Sequence, residues 1–358
     1  MGQSPDSSSY NDNEDGIPFF QGNADFGERY PVTRVWCNAP TKIAQPEDIL
    51  ISVRAPIGAL NFAKEECCIG RGLAALTPDR SKVSLEFIYW LLKGKNAELN
   101  SKGTGSTFKA ISRKVLEEIM VPAIDFDKQH EYAEILEKIY SVIQKRKEEL
   151  SALDNLIKAR FVELFGLTVS NTKGWKTEQM GEVAPAINYK GEFDDEVWLL
   201  NLDMVEAQTG RILDYLVVSE EEVGNSTCTF DTSNVLYSKL RPYLNKVVIP
   251  DRCGYATSEL VPLQPVKTKI NREYLAFMLR SDEFVNMINE KVAGAKMPRV
   301  PMGDFRKFDV PVPPMELQEQ FAYFVKQVDK SKFDTMTFAP IYAIINLYLH
   351  AHFYQGRR

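Results

Sequence analysis

The sequence has little of what disulfide frameworks and metal sites are made from. Its 358 residues include five cysteines and three histidines, and no two cysteines have the Cys-x-x-Cys spacing. So small and odd a number of cysteines argues against a disulfide framework and against a structural zinc site. No apolar run reaches the roughly 18 residues of a membrane span, and the first residues lack the features of a secretion signal. We therefore expect a cytoplasmic protein without a bound metal ion.

Catalytic motifs are also missing. No glycine-rich turn ends in Gly-Lys-Ser or Gly-Lys-Thr, and the nearest approach, residues 103–106, is not followed by a lysine at the P-loop spacing. Residues 312–315 contain two adjacent prolines, but they lack the Asn or Asp before them and the aromatic after them that an adenine methyltransferase needs to hold a flipped base. The sequence therefore favours a chain that has no catalytic residues and binds no cofactor.

No strong excess of one charge identifies a partner. The chain has 49 acidic residues and 43 lysines and arginines, a formal net charge of −6, and it lacks the basic character of many nucleic-acid binders. Its 44% hydrophobic and 26% charged residues are typical of folded domains, and its length predicts two or three of them. Any surface that binds nucleic acid must therefore be a local basic patch.

What the sequence does contain is a divergent duplication with an offset of about 190 residues, too long for a solenoid period. Residues 49–56 predict a strand that ends in a turn, and residues 235–242 repeat it with one inserted residue. Residues 86–93 and 273–280 predict matching apolar helices, each closed by a cation as the helix dipole favours. The chain is therefore expected to contain two copies of one folded unit.

Each copy is predicted to end in a strand, a proline break and a helix. The short strands are predicted to end at Val121 and Val310, each followed directly by a proline. Gln129 and Gln318 then open the two helices.

The helix of the first copy is long, and its apolar residues recur at alternating spacings of three and four, as in a heptad seam. A helix over residues 128–165 would extend roughly 57 Å and cannot bury its stripe against itself. The expected partner is the helix that begins near Glu316, whose pattern stops near Lys332, ahead of Pro340. The predicted seam residues are Leu136, Ile139, Ile143, Leu150, Leu153, Ile157, Leu164, Phe321, Phe324 and Val328.

Two related units, each followed by a helix and without a catalytic motif, resemble the specificity subunit of a Type I restriction-modification enzyme. The resemblance covers about residues 1–332. The segments that carry it are residues 1–5 and 16–20 (the opening of a target recognition domain), 48–54 (its central strand), 174–183 and 236–242 (the same two parts of a second domain), and 311–320 (a proline-rich exit before a Glu-Gln helix).

This resemblance implies an α+β fold, in which two duplicated α/β target recognition domains are separated by long helices that form an antiparallel coiled coil. It implies a non-catalytic subunit whose two domains each read half of a split sequence in double-stranded DNA. Two methyltransferase subunits and motor-nuclease subunits would assemble on it, and no membrane is involved. S-adenosylmethionine, ATP and Mg are expected in those partner subunits and not in this chain.

The resemblance also gives domain boundaries. No counterpart of residues 174–182 precedes the first copy, so Met1 is expected to begin inside a recognition domain. The expected parts are 1–124 (a first recognition domain without its N-terminal strand), 125–167 (the first spacer helix), 174–314 (the second recognition domain), 315–332 (the start of the second spacer helix) and 333–358 (a divergent apolar tail). An alternative function is a truncated helical adaptor or competitor that binds methyltransferase subunits but does not read DNA. A third, an enzyme in its own right, is disfavoured by the missing motifs.

The DNA-binding candidates are basic residues that follow the central strand or precede the proline exit, because loops on a rigid scaffold usually carry recognition. Cations bind phosphates regardless of sequence, whereas Arg, Asn and Gln read base edges. For Arg54 and Arg241 the alternative is that they brace the strand ends. The candidates are Arg54, Arg71, Lys102, Lys109, Arg113, Lys114, Lys239, Arg241, Lys246, Lys296, Arg299, Arg306 and Lys307.

Overall fold

The computed structural model describes residues 1–105, 109–292 and 297–335. The chain divides into two compact units in the middle of its longest helix, after Lys147. Neither unit, as far as it is described, has a helix long and apolar enough to cross a membrane. The segment expected to form a divergent tail, residues 333–358, lies almost wholly outside the described residues.

As far as it is described, the first unit combines eight short strands with three short helices and the first part of a long one. The strands are β1 (Tyr10–Asn11), β2 (Ile17–Phe20), β3 (Trp36–Cys37), β4 (Ile43–Ala44), β5 (Ile49–Ser52), β6 (Leu60–Phe62), β7 (Cys67–Ile69) and β8 (Leu73–Leu76). The helices are α1 (Leu85–Gly94), α2 (Asn96–Ser101), α3 (Arg113–Glu117) and α4 (Phe126–Phe165), and α4 continues into the second unit.

These strands form two sheets, and β5 is the centre of the smaller one. The larger sheet has the order β1-β3-β2-β7-β4, with β2 and β7 parallel, and the smaller has the antiparallel order β6-β5-β8. Side chains alternate between the two faces of a strand. Accordingly, Ile49 and Ile51 pack into a core with Trp90 of α1, while Leu50 packs with Phe20 on the other face. Because both faces are covered, all four residues of β5 are buried.

The second unit repeats this plan. Its strands are β9 (Thr177–Gln179), β10 (Glu196–Leu200), β11 (Leu216–Ser219), β12 (Thr227–Phe230), β13 (Val235–Ser238), β14 (Val247–Val248), β15 (Gly254–Thr257), β16 (Leu260–Leu263) and β17 (Asp309–Pro311). Its helices are α5 (Met180–Val183), α6 (Arg272–Arg280), α7 (Asp282–Asn289), α8 (Met302–Arg306) and α9 (Met315–Thr335). The sheet orders are β11-β10-β15-β12, β14-β13-β16 and β17-β9, and the pair β10 and β15 is parallel, like β2 and β7. The prediction of two duplicated α/β units is confirmed.

The two copies of the apolar helix have matching ends. Ser84 precedes α1, and its side chain accepts a hydrogen bond from the backbone of Phe87. Asn271 precedes α6 and caps it in the same way through the backbone of Glu273. Both helices carry a cation in the last turn. The predicted pair of matching helices is therefore confirmed.

The central strands of the two copies correspond without an insertion. Ser52 and Ser238 end β5 and β13, and each pairs with the first residue of the neighbouring strand, β8 or β16. Two residues further on, Arg54 and Leu240 each form an isolated bridge to a later loop. Arg54 thus corresponds to Leu240, and Arg241 to an alanine. The prediction of one inserted residue is wrong, because the backbone register places Leu240, and not Arg241, at the position of Arg54.

The strands that precede the proline breaks differ between the units. In the second unit β17 pairs with β9, and Val310 is fully buried. In the first unit residues 119–122 form no strand, and the side chains of Met120 and Val121 are 73% and 42% exposed. The strand predicted to end at Val121 is therefore wrong. The described part of the first unit has no counterpart of β9 to pair with it, and a strand needs a partner to satisfy its backbone hydrogen bonds.

Helix α4 buries different faces at its two ends. In the first unit Ala133, Leu136 and Tyr140 pack into the core beneath α1, and in the second unit Ile157 and Phe161 pack into the core that also holds α9. Along the described part of α9 the buried residues are Gln318, Phe321, Val325 and Val328. Of the predicted seam, Leu136, Ile143, Ile157, Phe321 and Val328 are buried, whereas Ile139, Leu150, Leu153, Leu164 and Phe324 are partly exposed. The predicted seam is therefore not buried along its whole length, and each end of α4 packs on the core of its own unit.

Helix α9 packs antiparallel to the last part of α4 inside the second unit. Phe161 and Phe321 meet edge to face with ring centroids 5.3 Å apart. The ammonium of Lys332 contacts the carboxylate of Asp154 at 2.7 Å. Asp154 precedes Phe161 in α4, whereas Lys332 follows Phe321 in α9, so the two helices run in opposite directions. The helix expected near Glu316 is thus present, and it covers this end of α4.

Candidate nucleic-acid interface

The loop that follows β5 lies against the segment that precedes α3. The N–H of Ala55 donates to the carbonyl oxygen of Lys109 at 3.0 Å, and Arg54 forms an isolated bridge with Ala110. The N–H of Ile111 then donates to the carbonyl oxygen of Val53 at 2.9 Å. This frame brings Arg54 and Lys109, far apart in sequence, to one place.

Two more cations lie beside this frame. Gly72 accepts a hydrogen bond from the N–H of Val53 at 2.9 Å, which places the neighbouring Arg71 close to Arg54. Lys42 accepts one from the N–H of Ile69 at 2.8 Å, just before Arg71. Sequence reasoning missed Lys42, because nothing in the sequence signals that β4 pairs with β7. The cations Lys42, Arg54, Arg71 and Lys109, together with Arg113 two residues after Ile111, are named the first basic surface here.

Most of this surface has no carboxylate partner. Lys42, Arg54, Arg71 and Lys109 are exposed, and none of them makes an ion pair with the part of the chain that the structure describes. The positive charge also acts on a nearby group: burial, followed by Arg113 and Lys42, lowers the pKa of the Met1 amino group. Unpaired cations at this density can bind a polyanion without first giving up a partner.

Three of the predicted contacts in the first unit are instead held by glutamates on the same helical turns. Lys102 contacts Glu98 at 2.7 Å, Arg113 contacts Glu117 at 2.7 Å, and Lys114 lies 3.8 Å from Glu118. Exposed pairs of this kind contribute only about 0 to 1 kcal/mol, so a phosphate can compete for these cations. Lys102, Arg113 and Lys114 stay predicted contacts. Their charge is partly neutralised by the glutamates, unlike that of Arg54 or Arg71.

The second unit builds the same frame after β13. The N–H of Arg241 donates to the carbonyl oxygen of Pro298 at 2.8 Å, and Leu240 forms the isolated bridge with Arg299. The N–H of Val300 donates to the carbonyl oxygen of Lys239 at 2.9 Å. Lys239, Arg241 and Arg299 are named the second basic surface here. Arg241 is exposed, with a positive φ of 50°, which turns the chain sharply before Pro242.

The second basic surface carries less free charge than the first. Arg299 contacts both carboxylate oxygens of Glu259, with a shortest distance of 2.8 Å. Lys239 is half-buried, and within the described residues neither it nor Arg241 makes an ion pair. Lys296 lies outside the described residues.

The side chain of Lys246 makes a hydrogen bond within the second unit. Its ammonium donates to the carbonyl oxygen of Leu202 at 2.7 Å, and burial lowers its pKa. The structure therefore gives it a bracing contact that the sequence does not reveal.

Arg306 and Lys307 lie at the end of α8, far in sequence from the loop that follows β13. Both are exposed, and neither makes an ion pair with a described residue. They remain predicted contacts.

The chain is similar in sequence to known proteins over most of its length. The family model described as "Type I restriction modification DNA specificity domain" matches residues 2–152 and 173–341 of this chain. The protein of Methanocaldococcus jannaschii named as the type I restriction enzyme MjaX specificity subunit is 45% identical over 150 residues, which cover 42% of this chain and 35% of that protein. The Type I restriction enzyme EcoDI specificity subunit of Escherichia coli is 22% identical over 284 residues, covering 69% of this chain and 63% of that protein. The chain thus spans about a third of the first relative and less than two thirds of the second.

Among solved structures, the likeness can extend over almost the whole chain. The S subunit of a Type I restriction-modification system from M. genitalium superposes with a TM-score of 0.51 at 15% identity, covering 97% of this chain and 91% of that one. At this level of identity the likeness concerns the fold, and it agrees with the two duplicated units described above.

Proposed function

Because this chain belongs to the family of Type I restriction modification DNA specificity domains, we propose that it recognises DNA sequence for a Type I restriction-modification complex. Each unit contacts one half of a bipartite target in double-stranded DNA. The two basic surfaces support this assignment, since the same hydrogen-bond frame forms them at corresponding ends of β5 and β13.

One observation carries the proposal. Arg54, Arg71 and Lys109 come together, exposed and without ion pairs among the described residues, in a chain whose formal net charge is −6. Acidic residues are more numerous than basic ones, so a cluster of cations without carboxylate partners is not expected from composition. Such a cluster lowers its own repulsion by binding phosphates and releasing their counterions.

The same proposal assigns the chemistry to other subunits. Two methyltransferase subunits hold S-adenosylmethionine, motor-nuclease subunits hold ATP and Mg²⁺, and this chain supplies recognition and a scaffold without catalysis of its own. The complex acts in the cytoplasm, where chromosomal DNA is accessible. The sequence supports this division, because it has neither a P-loop nor the residues that surround a flipped adenine.

The test is methyl transfer to DNA by the full chain with and without a methyltransferase subunit. The chain alone should transfer no methyl group from S-adenosylmethionine, and the assembled pair should methylate a split sequence. The double variant Arg54→Ala with Lys109→Ala should reduce methylation and DNA affinity. The matched control is Arg80→Ala, because Arg80 is paired with Glu47 at the opposite end of β5.

The outcomes separate the alternatives. Methyl transfer by the chain alone would make it an enzyme. A stable complex with the methyltransferase subunit that selects no DNA sequence would make it a helical adaptor.

A further inference from the structure

Gln21 and Arg71 leave the larger sheet of the first unit at the same edge. Gln21 follows β2 and Arg71 follows β7 after one glycine, and these strands are parallel, with Phe20 opposite Ile69. The carboxyl ends of parallel strands meet at one edge of a sheet, and this edge is where open α/β sheets commonly bind ligands. Gln21 therefore leaves the sheet next to the turn that carries Arg71, a member of the first basic surface.

Glycines make room for the side chain of Gln21. A Cβ on Gly70 would lie 2.7 Å from Oε1 of Gln21, and a Cβ on Gly72 would lie 2.5 Å from its carbonyl oxygen. The N–H of Gly72 donates to that carbonyl oxygen at 3.1 Å. The amide of Gln21 thus lies directly over Gly70, next to Arg71.

Ser4 holds this amide on one side only. Its Oγ lies 2.9 Å from Nε2 and 3.1 Å from Oε1 of Gln21, and it also accepts the N–H of Arg71 at 3.3 Å. The backbone N–H of Gln21 is fixed separately by the carboxylate of Asp25 at 2.7 Å. The side chain of Gln21 is exposed, and its amide contacts no other described residue through a hydrogen bond. One N–H and one carbonyl lone pair are therefore oriented and available.

An oriented amide beside an unpaired guanidinium is suited to base edges. Glutamine pairs in a bidentate manner with adenine, and arginine with guanine, in the major groove. The nearby cations Lys42, Arg54 and Lys109 are suited to phosphates, which fix the register of the protein on the duplex. We infer that Gln21 and Arg71 are the side chains with which the first unit reads bases. This inference rests on the function proposed above.

The second unit presents different groups at the same positions. Leu200 of β10 lies opposite Ala256 of β15, in the register that Phe20 and Ile69 have in the first unit. The residues that correspond to Gln21 and Arg71 are therefore Asn201 and Ser258. The duplicated frame offers an Asn–Ser pair in one unit and a Gln–Arg pair in the other, so the two half-sites differ in sequence.

The experiment selects binding sites from a pool of random double-stranded DNA with the full chain assembled on a methyltransferase subunit. Gln21→Ala and Arg71→Ala should each reduce base preference about tenfold at one or two positions of a single half-site. The other half-site should keep its sequence, which shows that the variant is folded. Gly70→Ala should weaken the same position as Gln21→Ala, because the added methyl displaces the amide and leaves it in the chain. Gln45→Ala and Arg80→Ala, at the opposite end of the unit, are the matched controls.

Other results would overturn the inference. If the unmodified protein selects a bipartite sequence and all three variants select the same one, Gln21 and Arg71 do not read bases. If Arg71→Ala keeps the sequence but lowers the salt dependence of affinity by about one unit, Arg71 contacts a phosphate. If the unmodified protein selects no sequence at all, the proposed function fails and this inference fails with it.

Discussion

Gln129 and Gln318 occupy the same position in the two units and make the same hydrogen bonds. Oε1 of Gln129 accepts the N–H of Ser84, the residue before α1, at 2.8 Å, and Oε1 of Gln318 accepts the N–H of Asn271, the residue before α6, at 2.7 Å. Each Nε2 donates at 2.8 Å to the carbonyl oxygen five residues earlier in the chain. One buried amide therefore ties the long helix, the proline break and the apolar helix together in each unit.

Replacing either glutamine by leucine should destabilise its own unit. In Gln318→Leu the N–H of Asn271 and the carbonyl oxygen of Pro313 lose their partner in a buried place, at about 1 to 3 kcal/mol for each unsatisfied group. Gln129→Leu should have the same effect on the first unit. Hydrogen exchange resolved by peptide gives the stability of each unit separately. Gln45→Leu, at an exposed position, is the control, and equal protection in all three variants would contradict the prediction.

The duplication could be predicted from sequence because its strongest signals are local. The ends of the central strands, the proline breaks and the glutamines near the start of the long helices recur in order, and each of them reflects a backbone requirement. The register after β5 could not be predicted, because Arg54 and Arg241 match by residue type while the backbone bridges match Arg54 with Leu240. The failure at Val121 has a different cause: strand propensity gives no strand where the described structure offers no pairing partner.

Two lysines of the second unit should respond in opposite ways to replacement by alanine. Lys239→Ala should weaken binding to random duplex DNA and lower the slope of log affinity against log salt by about one unit, without changing stability. Lys246→Ala should lower the free energy of unfolding, since it removes the contact with Leu202, and should leave the salt slope unchanged. DNA titrations at several salt concentrations and urea unfolding measure both. Loss of DNA affinity in Lys246→Ala with unchanged stability would place its ammonium on the DNA instead.

Lys93 should make the stability of the first unit depend on pH. Burial, followed by the charge of Arg29, lowers its pKa to about 8 from an ordinary value of 10.5. Its ammonium also lies 4.1 Å from the centre of the Tyr140 ring, a contact that favours the charged form, but we expect burial to prevail. The folded state then binds fewer protons than the unfolded state between these two values, so stability rises with pH across that interval.

The variant Lys93→Met tests this sign. It should be more stable than the unmodified protein at pH 7, where the half-buried amine is charged, and the difference should shrink as the pH rises from 8 towards 10.5. Thermal unfolding over this pH range measures it. A difference that stays constant, or a variant that is less stable at pH 7, would show that the contact with Tyr140 outweighs burial.

The candidate interface was predictable only in part. Basic residues after a central strand are visible in the sequence, and Arg54 and Lys109 do come together in the structure. The sequence could not show that Lys246 points to a carbonyl oxygen. Nor could it show Gln21, because its place beside Arg71 depends on a parallel pairing between strands far apart in the chain. Contacts of this kind are set by tertiary structure, and periodicity does not encode them.

Adjacent residues of α4 test whether its buried stripe or its whole apolar surface stabilises the second unit. Ile157 is 1% exposed in the core that holds Phe161 and Phe321, whereas Leu156 is 49% exposed. A buried Ile→Ala change costs about 2 to 5 kcal/mol, while an exposed change away from such contacts stays within about 0.5 kcal/mol. Ile157→Ala should therefore lower the urea midpoint of the second unit, and Leu156→Ala should not. If Leu156→Ala leaves stability unchanged, as expected, and also weakens assembly with a methyltransferase subunit, the exposed side of α4 is an assembly surface. Equal loss of stability in both variants would mean that the side chain of Leu156 is also covered, since a leucine exposed to water has no such contacts to lose.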